Sequence, residues 1–148
     1  MLNNGFISGN TIPDMSELEI LDITRRLLQA IHDGDSEAYR ALCAPEVSCF
    51  ETDVAPYRID GVDFHLDLIQ AMKRQDVYEK LIRFDLLSPR VQLYPGFAVI
   101  TYTRLMTYQG EGNPYYKTSN ETRVFAKESD GWKMIHFHRS EMSSDFMP

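Results

Sequence analysis

The chain has 148 residues and a mass of 17.1 kDa, which is the size of one ordinary domain. Hydrophobic residues make up 43% of it and charged residues 25%, a composition that excludes a disordered or collagen-like chain. The 15 basic residues against 22 acidic ones give a formal net charge of −7. This charge argues against a general role in binding nucleic acid or anionic membranes. No apolar run approaches the length of about 18 residues that a membrane span needs.

The chain ends and the cysteines bear on domain organisation and compartment. Segment 1–15 has no positive charge ahead of an apolar stretch, so it predicts a flexible leader and not a secretory signal. A single domain over 16–142 and a tail over 143–148 are expected to follow. Cys43 and Cys49 are too few for a disulfide framework and lack zinc-finger partners. We expect buried thiols in a reducing compartment, and therefore a cytoplasmic protein.

The first part of the domain has the pattern of helices. Ser16 followed by Glu19 is typical of a capping box, apolar residues then recur at helical spacing, and Gly34 ends this helix. Asp35 is in position to cap a second, short helix over Ser36–Cys43.

A third helix is predicted to open at Asp60 or Gly61, after a short strand over 47–51 and a loop over 52–60. Its buried stripe is expected to hold Val62, Leu66, Ile69 and Met72. The rest of the chain favours strands over 80–87, 90–94, 97–108, 116–127 and 132–140. Helices followed by an antiparallel meander predict an α+β fold, with helices on one face of a curved sheet and a ligand site at its mouth.

Alternation along three consecutive strands places one arginine of each on an apolar or aromatic face. These residues are Arg104, Arg123 and Arg139. A buried arginine needs a partner, so the pattern indicates an anion-binding pocket or arginines paired with nearby acids such as Glu121. Three unrelated surface arginines are a further alternative. Glu51, Asp53 and Asp60, which surround a loop, are candidate acids, but solvated loop carboxylates are the commoner explanation and the interpretation adopted.

The same alternation groups Trp132, Met134, His136 and His138 on the other face of the last strand, which we expect to serve self-association. The two histidines would make a metal site only with a third ligand such as His65. Packed core or interface histidines fit better, so we expect neither a metal nor another cofactor.

Short motifs along the chain resemble a known family: Gly34-Asp35-Ser36-Glu37-Ala38-Tyr39, Phe50-Glu51, Gly61-Val62-Asp63-Phe64-His65, Tyr102-Thr103-Arg104, Glu121-Thr122-Arg123-Val124 and His136-Phe137-His138-Arg139-Ser140. Their order and spacing resemble the association, or hub, domain of calcium/calmodulin-dependent protein kinase II. The last motif, HFHRS, is identical to that of the animal kinases. The resemblance covers about residues 17–140.

This resemblance implies an NTF2-like cone with a cystatin-like sheet and a ring of stacked dimers, dodecameric or tetradecameric. It also implies a pocket for small carboxylates, which motif matching assigns to Arg104, Arg123 and Arg139. Tyr102 and His65 belong to the surroundings of that pocket. Kinase activity and calmodulin binding are not carried over, since the chain has no room for a kinase domain and lacks a basic amphipathic segment.

Three functions follow as hypotheses. The favoured one is an oligomerisation module with a small-carboxylate pocket, without catalysis. The alternative is an enzyme of the ketosteroid-isomerase or polyketide-cyclase type, acting on a small acidic substrate through Glu121 or His65. The third is a regulatory binder whose ligand changes the assembly.

Overall fold

The computed structural model describes residues 14–74 and 80–141. Their elements in chain order are α1 (Met15–Asp33), α2 (Ser36–Ala41), β1 (Cys43–Glu51), β2 (Ile59–Asp60), α3 (Asp63–Arg74), β3 (Leu81–Tyr94), β4 (Phe97–Tyr108), β5 (Tyr115–Glu128) and β6 (Gly131–Glu141). The predicted α+β class is confirmed. Of the predicted leader, only Asp14 and Met15 are described. The predicted tail, 143–148, lies outside the described residues.

The ends of the first two helices are set by short polar residues and a glycine. Asp14 caps α1 by accepting a hydrogen bond of 2.9 Å from the backbone N–H of Ser16. Ser16 lies inside the first turn, where it cannot act as the cap, so the predicted capping box is wrong. Gly34 ends α1 with φ at 67°, as expected for a left-handed cap. Asp35 caps α2 as predicted, accepting from the N–H of Ala38 over 3.0 Å.

One sheet of six strands, in the order β2-β1-β6-β5-β4-β3, forms the body of the molecule. Strands β3 to β6 make the predicted antiparallel meander. Strand β1 runs parallel to β6, so the sheet is mixed. Pro89 does not interrupt β3, because a register shift between Leu87 and Arg90, with Ser88 at φ 49°, accommodates the missing N–H donor.

The core lies between the helices and one face of the sheet, here called the inner face. It includes Ile20, Leu27, Leu28, Leu66, Ile69, Ile100 and Phe125. Cys43 and Cys49 are free thiols and buried, as predicted. None of the helices in the described ranges has the length and apolar character needed to cross a membrane.

A β-bulge in β6 changes which side chains of the last strand reach the core. The register with β5 skips Ile135, so Met134 and Phe137 both point inward and are 0% and 3% exposed. Trp132 is buried on the same side. The predicted association surface is therefore wrong for Trp132 and Met134, whereas the two histidines of β6 lie on the opposite, outer face of the sheet.

Candidate functional site

A cavity of about 350 Å³ lies between α1, α3 and the inner face of the sheet. Apolar side chains, among them Ile31, Leu68 and Met106, line one part of it. Charged side chains line the rest: Glu51, Asp53, Arg104, Lys117, Arg123, Arg139 and Glu141. Four of the five predicted site residues line this cavity: His65, Arg104, Arg123 and Arg139. The fifth, Tyr102, does not line it but is hydrogen-bonded to Arg123.

Strand register explains why these polar groups converge. Tyr102 lies opposite Glu121, Glu121 lies opposite Arg139, and Arg139 lies opposite Glu51. Directly opposed residues share a face of the sheet, so this row runs across four strands on the inner face. Residues two positions along a strand from the row, such as Arg123, point the same way.

Glu121 is the centre of a buried charged network. Arg123 Nη2 donates to Glu121 Oε1 over 2.8 Å, and the Ser119 hydroxyl donates to Oε2 over 3.0 Å. Arg104 Nε lies 2.7 Å from Oε2 but does not direct its hydrogen at it, so this contact is an ion pair without a hydrogen bond. Burial would raise the pKa of Glu121, but the positive charges of Arg123 and Arg104 outweigh it and lower that pKa.

Arg123 is fully engaged by its neighbours. Its Nε donates to the Tyr102 hydroxyl over 2.7 Å, and its guanidinium lies over the Phe137 ring at 4.8 Å. Burial opposes the charge of Arg123, yet Tyr102 and Glu121 together raise its pKa, so the guanidinium stays charged. The sequence alternative of arginines paired with nearby acids is confirmed for Arg104 and Arg123.

Arg139 is likewise paired, with three carboxylates. Its Nη2 donates to Glu51 Oε2 over 2.8 Å and to both oxygens of Asp53 over 2.9 Å. Its Nη1 donates to Glu141 over 2.9 Å. Glu51 is only 5% exposed, so the interpretation of this residue as a solvated loop carboxylate is wrong. Glu51 is buried because β1 pairs in parallel with β6, and no local sequence pattern predicts that pairing.

His65 and Cys49 meet Glu51 on the side away from Arg139. His65 Nε2 is 2.5 Å from Glu51 Oε1, and Cys49 Sγ is 3.6 Å from His65 Nε2 and 3.7 Å from Glu51 Oε1. Burial would raise the pKa of Glu51, but the hydrogen bond from His65 and the charge of Arg139 hold it at about 2. His65 Nδ1 is buried and has no hydrogen-bond partner among the described residues.

The histidines of β6 do not join His65. His136 Nδ1 lies 2.8 Å from the Ser48 hydroxyl, and both His136 and His138 pack beside the Phe50 ring on the outer face. Since His65 lies at the cavity, on the inner face, these three histidines do not form the metal site considered from the sequence.

His32 is a cavity residue that the sequence did not single out. Its ring packs against Phe84 at 4.8 Å, and its Nε2 is buried without a partner among the residues described. Burial, assisted by the charge of Arg104, lowers the pKa of His32 to about 4. The only signal in the sequence was its position one residue past the helical stripe of α1, which does not distinguish a cavity residue from a surface one.

The chain matches one protein family over nearly its whole length. Residues 16–143 match the model of the calcium/calmodulin dependent protein kinase II association domain. The chain is 33% identical over 139 residues to the type II kinase alpha chain of Drosophila melanogaster, covering 88% of this chain and 26% of that one. It is 37% identical over 125 residues to the delta subunit of Oryctolagus cuniculus, covering 82% of this chain and 23% of that one. It thus spans about a quarter of the length of these relatives.

Solved structures agree with this match. The hub homology domain of Chlamydomonas reinhardtii has a TM-score of 0.75 and 29% identity, covering 86% of this chain and 99% of that one. An NTF2-like protein of Cytophaga hutchinsonii, with a TM-score of 0.68 and 14% identity over 88% of this chain and 100% of its own, shares the fold alone. The chain therefore belongs to the family of calcium/calmodulin-dependent protein kinase II association domains and has their NTF2-like fold.

Proposed function

We propose that this chain is a self-assembling association domain whose cavity binds a small carboxylate. Membership of the association-domain family supports the first part of the proposal. The expected assembly is a ring of stacked dimers, as the resemblance implies.

The outer face of the sheet is the surface that we assign to self-association. Its middle carries Thr101 opposite Thr122 and Val99 opposite Val124, and none of these four side chains is charged. Beside them, Phe50 is 41% exposed and next to His138. A sheet face whose middle is uncharged and carries partly exposed apolar side chains is suited to pairing with the same face of a second copy.

The position of Arg104 carries the carboxylate part of the proposal. Arg104 is 4% exposed and lines the cavity; its Nε is ion-paired with Glu121 over 2.7 Å but has no hydrogen-bond partner among the described residues. Arg123 and Arg139, in contrast, already donate to acidic or hydroxyl partners. A carboxylate entering the cavity would accept from the terminal nitrogens of Arg104, and an alkyl chain would lie against the apolar part of the wall.

Glu121 is poorly suited to the enzyme alternative. Two arginines hold its pKa low, so it stays ionised and does not act as a general base tuned near neutral pH. His65 is the better acid–base candidate, because Glu51 orients its ring and its Nδ1 has no described partner. An assay for double-bond isomerisation or dehydration that gave turnover abolished by His65→Gln would favour the enzyme.

Two measurements test the proposed function. Light scattering behind size exclusion, at two protein concentrations, is expected to give a particle of many subunits that survives dilution. A monomer or a simple dimer would contradict the assembly. Calorimetric titration with butyrate is expected to show binding at one site per chain, while butyramide, of the same shape without the charge, binds far more weakly. Equal affinity for the two would contradict an arginine-held carboxylate.

A further inference from the structure

We propose that Cys49, Glu51 and His65 form a binding site for one zinc ion in the wall of the cavity. Each residue offers one ligand atom, and these three atoms all lie within 4.8 Å of one another. All three residues are buried, at 0%, 5% and 6% exposed. This inference is independent of the proposed function, because it uses neither the outer face nor Arg104.

The distances between the ligand atoms fit tetrahedral zinc. Bonds of about 2.3 Å to sulfur and about 2.0–2.1 Å to nitrogen and oxygen place sulfur about 3.6 Å from each of the others. Cys49 Sγ lies 3.6 Å from His65 Nε2 and 3.7 Å from Glu51 Oε1. Nε2 and Oε1 are 2.5 Å apart and need to separate by about 0.8 Å, which a small rotation of the Glu51 carboxylate supplies.

The fold supports this geometry from rigid elements. Cys49 and Glu51 are two residues apart on β1, so both point to the inner face, and His65 comes from the first turn of α3. Arg139 holds the second oxygen of Glu51 over 2.8 Å, which orients the first oxygen toward the site. Glu51 and His65 line the cavity, so the fourth coordination position would face it and take water or a small ligand.

The local charges also suit a divalent ion. One thiolate and one carboxylate neutralise Zn²⁺, and the nearby charge of Arg139 is met by Asp53 and Glu141. On binding, the Cys49 thiol releases one proton to solvent, and the ring of His65 carries its proton on Nδ1. Sulfur and nitrogen ligands favour zinc or cobalt over magnesium and calcium, which require oxygen ligands.

Metal titration of the reduced, metal-free full chain tests the site. Competition with a chromophoric chelator is expected to give one zinc per chain. Cobalt(II) is expected to produce visible bands of a tetrahedral ion and a sulfur-to-cobalt charge-transfer band. Cys49→Ala should abolish the charge-transfer band and weaken zinc binding by at least about tenfold. Cys43→Ala removes the other buried thiol of the same strand and should change neither result.

Either of two results would overturn the site. One is a wild-type chain that does not bind zinc, and the other is Cys49→Ala binding zinc as the wild type does. Glu51→Gln, which keeps the side-chain volume, serves as a second variant, with circular dichroism to verify folding. Butyrate binding by metal-free Cys49→Ala separates this test from the proposed function, because Arg104 is intact in that variant.

Discussion

Arg123 and Glu121 lie two residues apart on the inner face of β5, and the guanidinium donates to the carboxylate over 2.8 Å. Their side chains are 2% and 0% exposed. Such a pair gains little over a well-packed apolar pair, because both charges must leave water. Removing one partner is strongly destabilising, because it leaves the other charge buried without compensation.

Arg123→Met is therefore expected to destabilise the protein by about 3–5 kcal/mol, which urea denaturation measures. Glu121 would keep Arg104 as its one paired positive charge, with hydrogen bonds from Ser119 and Tyr102, and the Tyr102 hydroxyl would lose a donor. Arg83→Met is the matched control, because Arg83 pairs with Asp85 on the surface. We expect the control to unfold close to wild type. A similar loss of unfolding free energy in both variants would show that burial of the Arg123–Glu121 pair does not increase the cost of removing its arginine.

Glu51 is expected to give the protein an acid-sensitive component of stability. Its pKa is about 2 in the folded protein against an ordinary 4.5, so the ionised carboxylate stabilises the fold above about pH 4.5. This stability is lost as the pH falls toward 2, at up to about 1.4 kcal/mol per pH unit. The gap in unfolding free energy between wild type and Glu51→Gln should thus narrow below pH 4.5. A gap that is constant with pH would contradict the coupling of Glu51 with His65 and Arg139.

Protonation of His32 is expected to lower the stability of the protein over a higher pH range than protonation of Glu51 does. Its pKa is about 4 in the folded protein, against an ordinary 6.5 in the unfolded chain. Between these two values the unfolded chain binds a proton and the folded chain does not, so protonation favours unfolding. Stability should fall by up to about 1.4 kcal/mol per pH unit between about 6.5 and 4. Replacing the ring by His32→Leu should flatten the dependence of the melting temperature on pH in this range. An unchanged slope would show that the ring is solvated in the folded protein.

The inner-face arginines could be predicted from the sequence because strand alternation is a local rule. Arg104 and Arg123 lie where it places them, on strands whose register is regular around them. The rule failed for Trp132 and Met134, because the bulge at Ile135 shifts the alternation by one residue between Met134 and Phe137, and a single inserted residue leaves no clear trace in composition. Glu51 was misread for another reason. Its burial depends on pairing with a strand 88 positions away, and such contacts are not encoded in neighbouring residues.

Arg104→Gln is expected to weaken butyrate binding by about 1–3 kcal/mol, since it removes a charged donor while keeping an amide. Isothermal titration measures the change. Lys117→Gln makes the same change of charge at a more exposed position of the cavity, over the Tyr108 ring, and should retain most of the affinity. If both variants lose affinity equally, the general charge of the cavity, and not Arg104, holds the carboxylate.

Val124→Glu is expected to break the assembly without unfolding the domain. Val124 is half-buried on the outer face of the sheet, opposite Val99, so a new carboxylate there would be buried in the proposed interface. Burying an unpaired charge costs far more than the lost apolar contact. Light scattering should show a smaller particle, and the circular dichroism spectrum should be that of the wild type. The same change at Leu18, which is 43% exposed on α1, should leave the mass unchanged. If only Leu18→Glu dissociated the particle, the interface would lie on the helical side of the molecule.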